Sequence, residues 1–134
     1  MSYYERPHLT ASHDEDLRAV VREWHDFARG EEYREGLNAG LELATEKRAP
    51  NWLADLREMG TVVQEDQQWS NEQWFPRAMD SPLRHMAVVK PESVIANMSV
   101  ENIMQEIEGE DLTTHYFDNR PDAEAWLRER MLTA

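Results

Sequence analysis

Residues 51–56, with the sequence NWLADL, decide the fold class because they form a short apolar run without polar alternation. Such a run is typical of a central strand that is covered on both faces. Pro50 precedes it and prevents an upstream helix from continuing into it. The sequence MAVV at 86–89 has the same character and is closed by Pro91. We therefore predict buried strands at 51–56 and 86–89.

Four helices are predicted around these strands. Tyr33, Leu37, Leu41 and Ala44 recur at intervals of four, four and three residues, which places them on one face of a helix over about 31–47. A short second helix starts in the capping-box sequence SNEQ at 70–73 and is bent or shortened by Pro76. The third helix covers 92–108 and ends at Gly109. The last helix starts within 118–122 and carries on one side Ala123, Trp126, Leu127 and Met131.

Three further strands complete the predicted fold. Two extended runs, 8–13 and 17–24, flank a polar turn and are expected to pair as an antiparallel hairpin, and residues 112–117 are rich in strand-forming side chains. The resulting order, ββαβαβαβα, implies mainly parallel neighbours joined by right-handed crossovers. We expect an α/β fold with a five-stranded mixed sheet and helices packed on it, as a single domain over residues 1–134.

The composition excludes several classes of protein. The 134 residues include 27 acidic and 14 basic side chains, which gives a formal net charge of -13. This surplus would repel phosphate backbones and anionic lipids, so we expect neither nucleic acid nor a membrane as a partner. The chain has no cysteine, which excludes disulfides, thiol chemistry and cysteine-ligated metal sites.

The basic residues are almost all arginines, since Lys47 and Lys90 are the only lysines. An acidic, lysine-poor surface suits a protein that stays soluble at high ionic strength, but an ordinary acidic cytosolic protein would look similar, and both sources stay open. The sequence shows neither a secretion signal nor about 18 consecutive apolar residues. We therefore expect a cytoplasmic protein.

Six short motifs, each found once, are spread along the predicted fold. They are Glu23-Trp24, Glu31-Glu32-Tyr33, Trp52-Leu53-Ala54-Asp55, the Trp69 and Trp74 pair, Tyr116-Phe117-Asp118 and Ala125-Trp126-Leu127. With these motifs the chain resembles the STAS-like (anti-anti-sigma-like) superfamily, and within it small bacterial single-domain proteins, from about residue 9 to 132. The resemblance implies a STAS-like fold and a role in binding, and none of the motifs is a catalytic signature.

The resemblance also implies a test for a phosphorylation switch. In the anti-anti-sigma proteins, a serine next to an aspartate follows the strand that corresponds to 51–56, and a partner kinase phosphorylates it. The matching stretch here, DLREMGT at 55–61, keeps Asp55 but has no adjacent hydroxyl. We therefore expect no phosphorylation switch, with Thr61 as the nearest candidate.

Metal and catalytic motifs are not found in the sequence. His8 and His13 are five residues apart, which places them on opposite faces of a strand, and the other histidines are isolated. The five glycines never cluster into a phosphate-binding loop, and no serine lies in a nucleophile elbow. We expect no metal, no cofactor and no catalytic residue from these patterns.

A candidate binding site follows from position alone. In open α/β sheets, ligands bind beyond the carboxyl ends of the parallel strands. The residues predicted to lie there, or on the segment between the strands, are Asp55, Arg57, Glu58, Trp69, Trp74, Phe75 and Lys90. They could line a groove in which the rings supply contact area and Arg57 or Lys90 orients an anionic group. The alternative is that the tryptophans only cover the sheet and Asp55 caps a turn.

The sequence therefore favours a non-enzymatic binding or regulatory module that contacts a protein partner or a small apolar, anionic ligand. One alternative is a small hydrolase or isomerase whose acid and histidine meet only in the fold, for example Asp55 and His85. Another possibility is a homodimer formed through the exposed face of the opening hairpin, because an edge strand offers unpaired backbone amides to a second copy.

Overall fold

The computed structural model describes residues 2–107 and 112–132. In this part of the chain one six-stranded sheet carries its strands in chain order. The strands are β1 Ser2–Arg6, β2 Leu9–Asp14, β3 Ala19–Trp24, β4 Asn51–Asp55, β5 His85–Val89 and β6 Thr113–Phe117. The helices are α1 Glu31–Lys47, α2 Gln64–Trp69, a π-helical turn Ser70–Trp74, α3 Phe75–Met79, α4 Val94–Ile107 and α5 Arg120–Leu132.

The predicted mixed α/β sheet is confirmed, with one strand more than predicted. β1 pairs antiparallel with β2, which pairs antiparallel with β3. The first strand of the predicted hairpin, β2, is therefore covered by β1 and is not an edge of the sheet. The homodimer through the opening hairpin stays a prediction. The outer strands of the sheet are β1 and β6.

The second half of the sheet is parallel. From β3 to β6 each strand pairs with the next in the same direction, and helical segments form the connections. The carboxyl ends of β4, β5 and β6 consequently lie side by side, since Asp55 is opposite Val89 and Val89 is opposite Phe117. We call this edge, with the loops that follow it, the carboxyl rim.

Side chains alternate between two separate cores on the faces of the sheet. On one face, Val20, Trp52 and Val88 pack with residues of α1, α4 and the helical segment 64–79. On the other face, Val21 and Leu53 pack with residues of α5. Every residue of β4 is buried, which is the arrangement that its unbroken apolar sequence predicted.

The helical segment between β4 and β5 begins earlier than predicted. It runs from Gln64 to Met79, and its π-helical turn coincides with the expected capping box. The Ser70 hydroxyl does not cap a helix start, because it donates to the Asp66 carbonyl oxygen at 2.8 Å, one turn back. The sequence SNEQ, which can begin a helix, here lies in the middle of a helical segment. The predicted stop at Gly109 lies outside the described residues.

Helix α1 lies very close to the sheet at Gly40. A Cβ atom at this position would be 2.7 Å from Cη2 and 2.9 Å from Cζ2 of Trp52, and 3.0 Å from Cδ of Arg22. Because Trp52 is fully buried, its ring has no solvent-filled space into which it could move. The absence of a side chain at Gly40 therefore sets the distance between α1 and β4.

We expect Gly40→Ala to lower the free energy of unfolding by about 1–2 kcal/mol. Overpacking against the Trp52 ring costs about 1–3 kcal/mol, and the better helix propensity of alanine recovers up to about 1 kcal/mol. Urea denaturation measures the difference. The control is Glu42→Ala at an exposed position of the same helix, which should stay within about 0.5 kcal/mol of wild type. Equal stability of Gly40→Ala and wild type would contradict the close packing.

Candidate functional site

Asp55 and Arg57 form a bidentate ion pair at the carboxyl rim. Arg57 Nε is 2.9 Å from Asp55 Oδ1, and Arg57 Nη2 is 2.8 Å from Oδ2. The backbone N–H of Arg57 also donates to Oδ1, at 3.3 Å. The carboxylate is almost buried, whereas the arginine is about half exposed. The local turn after β4 thus satisfies both oxygens of Asp55.

A second arginine reaches the same carboxylate from α5. Arg120 Nη1 lies 3.7 Å from Asp55 Oδ2 and 3.5 Å from Glu23 Oε2. Burial raises the pKa of Asp55, but the hydrogen bonds and charge of Arg57, with the charge of Arg120, outweigh it and hold that pKa below its ordinary value. Asp55 is therefore an ionised, fully engaged group that ties β4 to α5 and to the following turn.

The other rim residues also have charged neighbours. Lys90 Nζ is 2.9 Å from Asp118 Oδ1, which joins the end of β5 to the end of β6. Glu58 is mostly exposed, with its Oε1 3.8 Å from Nδ1 of His25. Within residues 2–107 and 112–132, no group of three or more histidine, aspartate or glutamate side chains could hold a metal ion. The rim is thus a surface of paired charges.

The three aromatic residues of the predicted groove lie with the helices and not at the rim. Trp74 is buried, its Nε1 donates to the Leu37 carbonyl oxygen at 3.0 Å, and its ring meets that of Trp52 edge-on at 5.6 Å. Trp69 and Phe75 are partly buried against the same core. Arg57 and Lys90 instead line a surface depression with Asp118. The predicted set is therefore divided between two places, and it does not line one groove.

The structure contradicts the proposed pairing of Asp55 with His85. In the parallel pair β4 and β5, Asn51 is opposite His85 and Asp55 is opposite Val89. The two residues therefore lie at opposite ends of the strands, about 13 Å apart along the strand direction at roughly 3.3 Å per residue. His85 Nδ1 is instead 3.1 Å from Asn51 Oδ1. An acid and histidine site of this composition is excluded.

The structure contains an apolar cavity of about 70 Å³ between the sheet and the helices. Trp74 belongs to its wall, together with residues of three strands and two helices. The lining residues are Arg22, Trp24, Tyr33, Leu37, Ala54, Leu56, Met59, Val62, Ser70, Trp74, Met86, Val88, Val100, Ile103 and Met104. The sequence predicted a groove of aromatic residues with Arg57 or Lys90 at the carboxyl rim. The structure instead places Trp74 in the wall of this cavity, and the arginine there is Arg22.

Arg22 is the unusual member of this wall. Only 5% of its surface is exposed, and its Nε and Nη1 have no hydrogen-bond partner. Its guanidinium carbon lies 4.3 Å from the centre of the Trp52 ring and 6.0 Å from that of Trp24, so cation–π contacts offset part of the cost of burial. Burial lowers the pKa of Arg22 to about 9, which leaves it positively charged at neutral pH.

Two hydroxyl groups share the cavity with Arg22. The oxygens of Tyr33 and Ser70 are 2.7 Å apart, and because the serine donates to Asp66, the tyrosine donates to the serine. Burial raises the pKa of Tyr33 to about 12, so its hydroxyl stays neutral. The Asp66 carboxylate itself is engaged by the backbone N–H of Gly30 at 2.8 Å and by Arg34 Nε at 3.3 Å. None of these contacts neutralises Arg22.

The sequence contains a signal for Arg22, although the spacing of motifs does not show it. Arg22 lies within AVVREW, a strand that is otherwise apolar on its inward-facing positions. By the alternation of a strand, Arg22 shares its face with Val20 and Trp24, which belong to the α1 side. A charged residue on a buried face is the informative exception in a core.

The amino-terminal turns of α4 leave a group of apolar side chains in solvent. Val94 is 75% exposed, Ile95 66% and Met98 58%. We call these three residues the α4 patch. Asn97 lies between them in sequence and lines the rim depression together with Lys90. The α4 patch therefore borders the carboxyl rim, while later residues of the same helix, including Ile103 and Met104, line the cavity.

The comparisons with known proteins give one family. The family model described as SpoIIAA-like matches residues 19–128, which is most of the chain. This match confirms the resemblance to the STAS-like anti-anti-sigma proteins that the sequence motifs indicated. No curated protein and no solved structure matches significantly. Among the described residues, no helix is long and apolar enough to cross a membrane.

We expect Arg57→Met to lower the free energy of unfolding by about 1–2 kcal/mol at pH 7, because Asp55 keeps only the backbone N–H of residue 57 and its more distant contact with Arg120. The pKa of Asp55 is depressed in the folded state, so this stabilisation is present above the unfolded pKa of about 4 and is lost as pH falls through the folded pKa. The difference from wild type should therefore shrink in acid.

Chemical denaturation between pH 7 and pH 2.5 measures this effect. The matched control is Arg128→Met, because Arg128 is 59% exposed and lies 3.9 Å from its partner Glu124. That variant should lose less than about 0.5 kcal/mol. A pH-independent cost of Arg57→Met would show that the arginine acts through packing and not through its charge.

Proposed function

The chain belongs to the SpoIIAA-like family, and on that premise we propose that it is a regulatory module that acts by binding another protein and catalyses no reaction. Members of this family are generally non-enzymatic. The ionic groups at the rim are consistent with this role, because Asp55, its best-placed carboxylate, is held by two arginines. Such a group is poorly suited to exchange protons near neutral pH.

The observation that carries the proposal is the α4 patch. Three large apolar side chains lie next to one another at one end of the helix, and each is more than half exposed. Their exposure to water is unfavourable, so a partner surface that buries them gains binding free energy. Charged residues lie beside the same end of α4, because its Asn97 lines surface depressions with Glu92, Glu101 and the pair of Lys90 with Asp118. An apolar centre with a polar border is the usual anatomy of a protein interface.

The charge of the molecule indicates the chemistry of the partner. With a formal net charge of -13, the protein attracts positively charged surfaces over a distance of about one Debye length. We therefore propose a partner protein with an apolar contact residue surrounded by lysine or arginine. The association rate should fall as salt is added, whereas the lifetime of the complex should depend on the α4 patch.

The same proposal includes a cytoplasmic location, which the cysteine-free composition supports. A second copy of the chain is another possible partner. With β2 already paired, a strand-mediated dimer would have to use the β1 or β6 edge. Light scattering at several salt concentrations tests for such a dimer.

We expect the double substitution Ile95→Gln and Met98→Gln to weaken partner binding at least tenfold without unfolding the protein. Both side chains are more than half exposed, so their replacement costs the fold little, whereas buried apolar anchors carry about 1–2 kcal/mol each in an interface. The partner is first isolated from the source cells with wild-type protein and purified, and its Kd is then measured by calorimetry.

The control is Glu42→Gln with Glu46→Gln, at exposed positions of α1 away from the patch. This variant should bind within about twofold of wild type. If the control weakens binding and the α4 variant does not, the interface lies elsewhere and the α4 patch is not the contact surface.

A further inference from the structure

We propose that the internal cavity binds a small organic carboxylate whose apolar body fills the space between the helices and the sheet and whose charged group binds Arg22. The inference is independent of the proposed protein partner, because it rests on the interior of the molecule and not on the α4 patch. The ligand class follows from three properties of the cavity: its charge, its hydrogen-bonding groups and its size.

The charge of the cavity calls for an anion. Arg22 is the one charged side chain among the described residues that line it. Two of its guanidinium nitrogens have no partner although the residue is 5% exposed. Buried polar groups in proteins are nearly always hydrogen-bonded, and a buried charge is stable when it is both paired and hydrogen-bonded. The rings of Trp24 and Trp52 lie near the guanidinium but accept no conventional hydrogen bond from it.

The hydrogen-bonding groups limit the ligand to a single anionic group. Apart from Arg22, the polar side chains of the lining are Ser70, Tyr33 and the indoles of Trp24 and Trp74. The Tyr33 hydroxyl already donates to Ser70, which donates to Asp66, and the Trp74 indole already donates to Leu37. A ligand with several charged groups would leave some of them unpaired, so the site suits a monocarboxylate.

The walls and the volume define the rest of the ligand. Met86, Ile103 and Met104 are among the apolar side chains that face the cavity, so the body of the ligand should be aliphatic. The cavity has a volume of about 70 Å³. Because roughly 10–15 Å³ of such volume holds one water molecule, the space accepts about five to seven non-hydrogen atoms, and a monocarboxylate of four carbons has six. Flexible methionines can widen it slightly. These limits point to a chain of about four carbons.

The test uses butyrate and its neutral analogue butyramide with the full-length protein. Binding is followed through the Arg22 Nε–H signal in ¹⁵N NMR spectra and through tryptophan fluorescence, with chloride added to keep ionic strength constant. We expect butyrate to saturate both signals and butyramide to bind at least tenfold more weakly, because it lacks the charge that Arg22 pairs with. Acetate should also bind more weakly than butyrate, because it leaves the apolar walls empty.

The decisive variant is Arg22→Met, which keeps much of the volume of the side chain and removes its charge. Because it also removes an unpaired buried charge, we expect it to fold and to be at least as stable as wild type without ligand. Its affinity for butyrate should fall at least tenfold. The matched control is Arg6→Met, since Arg6 also lies over an aromatic ring, that of Tyr4 at 4.4 Å, but is exposed and outside the cavity.

The proposal is overturned if wild-type protein binds butyrate and butyramide equally, if chloride alone produces the Arg22 signal change, or if Arg22→Met retains butyrate affinity. The comparison of butyrate with butyramide on wild-type protein decides the matter even if Arg22→Met does not fold. None of these results bears on partner binding, which the substitutions at Ile95 and Met98 test separately.

Discussion

The fold depends on the burial of β4 on both of its faces. All five residues from Asn51 to Asp55 are removed from water, and the strand is hydrogen-bonded to β3 on one side and β5 on the other. Trp52 and Leu53 then point into different cores, so helices are needed on both faces of the sheet. The crossover helices cover one face and α5 covers the other, and the carboxyl rim results from this arrangement.

Sequence patterns predicted the parts of the fold in which one strong signal dominates. The apolar runs of β4 and β5 and the periodic face of α1 were placed within a residue or two. β1 was missed because the sequence SYYER at 2–6 has no alternation of apolar and polar residues, and its tertiary pairing with β2 is what makes it a strand. The SNEQ sequence was misread because a serine hydroxyl can bond forward as a cap or backward to a carbonyl, and only the surrounding chain decides which.

The candidate site was less predictable than the fold, because it depends on contacts between distant parts of the chain. Asp55, Arg57 and Lys90 were predicted at the carboxyl rim because they follow two parallel strands in the sequence, and the structure has them there. Their partners Arg120 and Asp118 follow a later strand. Trp74 was expected beside Arg57 or Lys90, but it lines the internal cavity together with Arg22 of β3. Spacing along the sequence does not encode such a meeting of side chains.

The identical order of strands in the chain and in the sheet affects how the protein can be made. As the ribosome releases the chain, each new strand finds its hydrogen-bonding neighbour already present, and no strand must be inserted between two that have paired. The growing sheet keeps β1 at one edge and extends at the other, where the next strand to be translated pairs. No new strand therefore has to displace an existing strand pair to reach its place in the sheet.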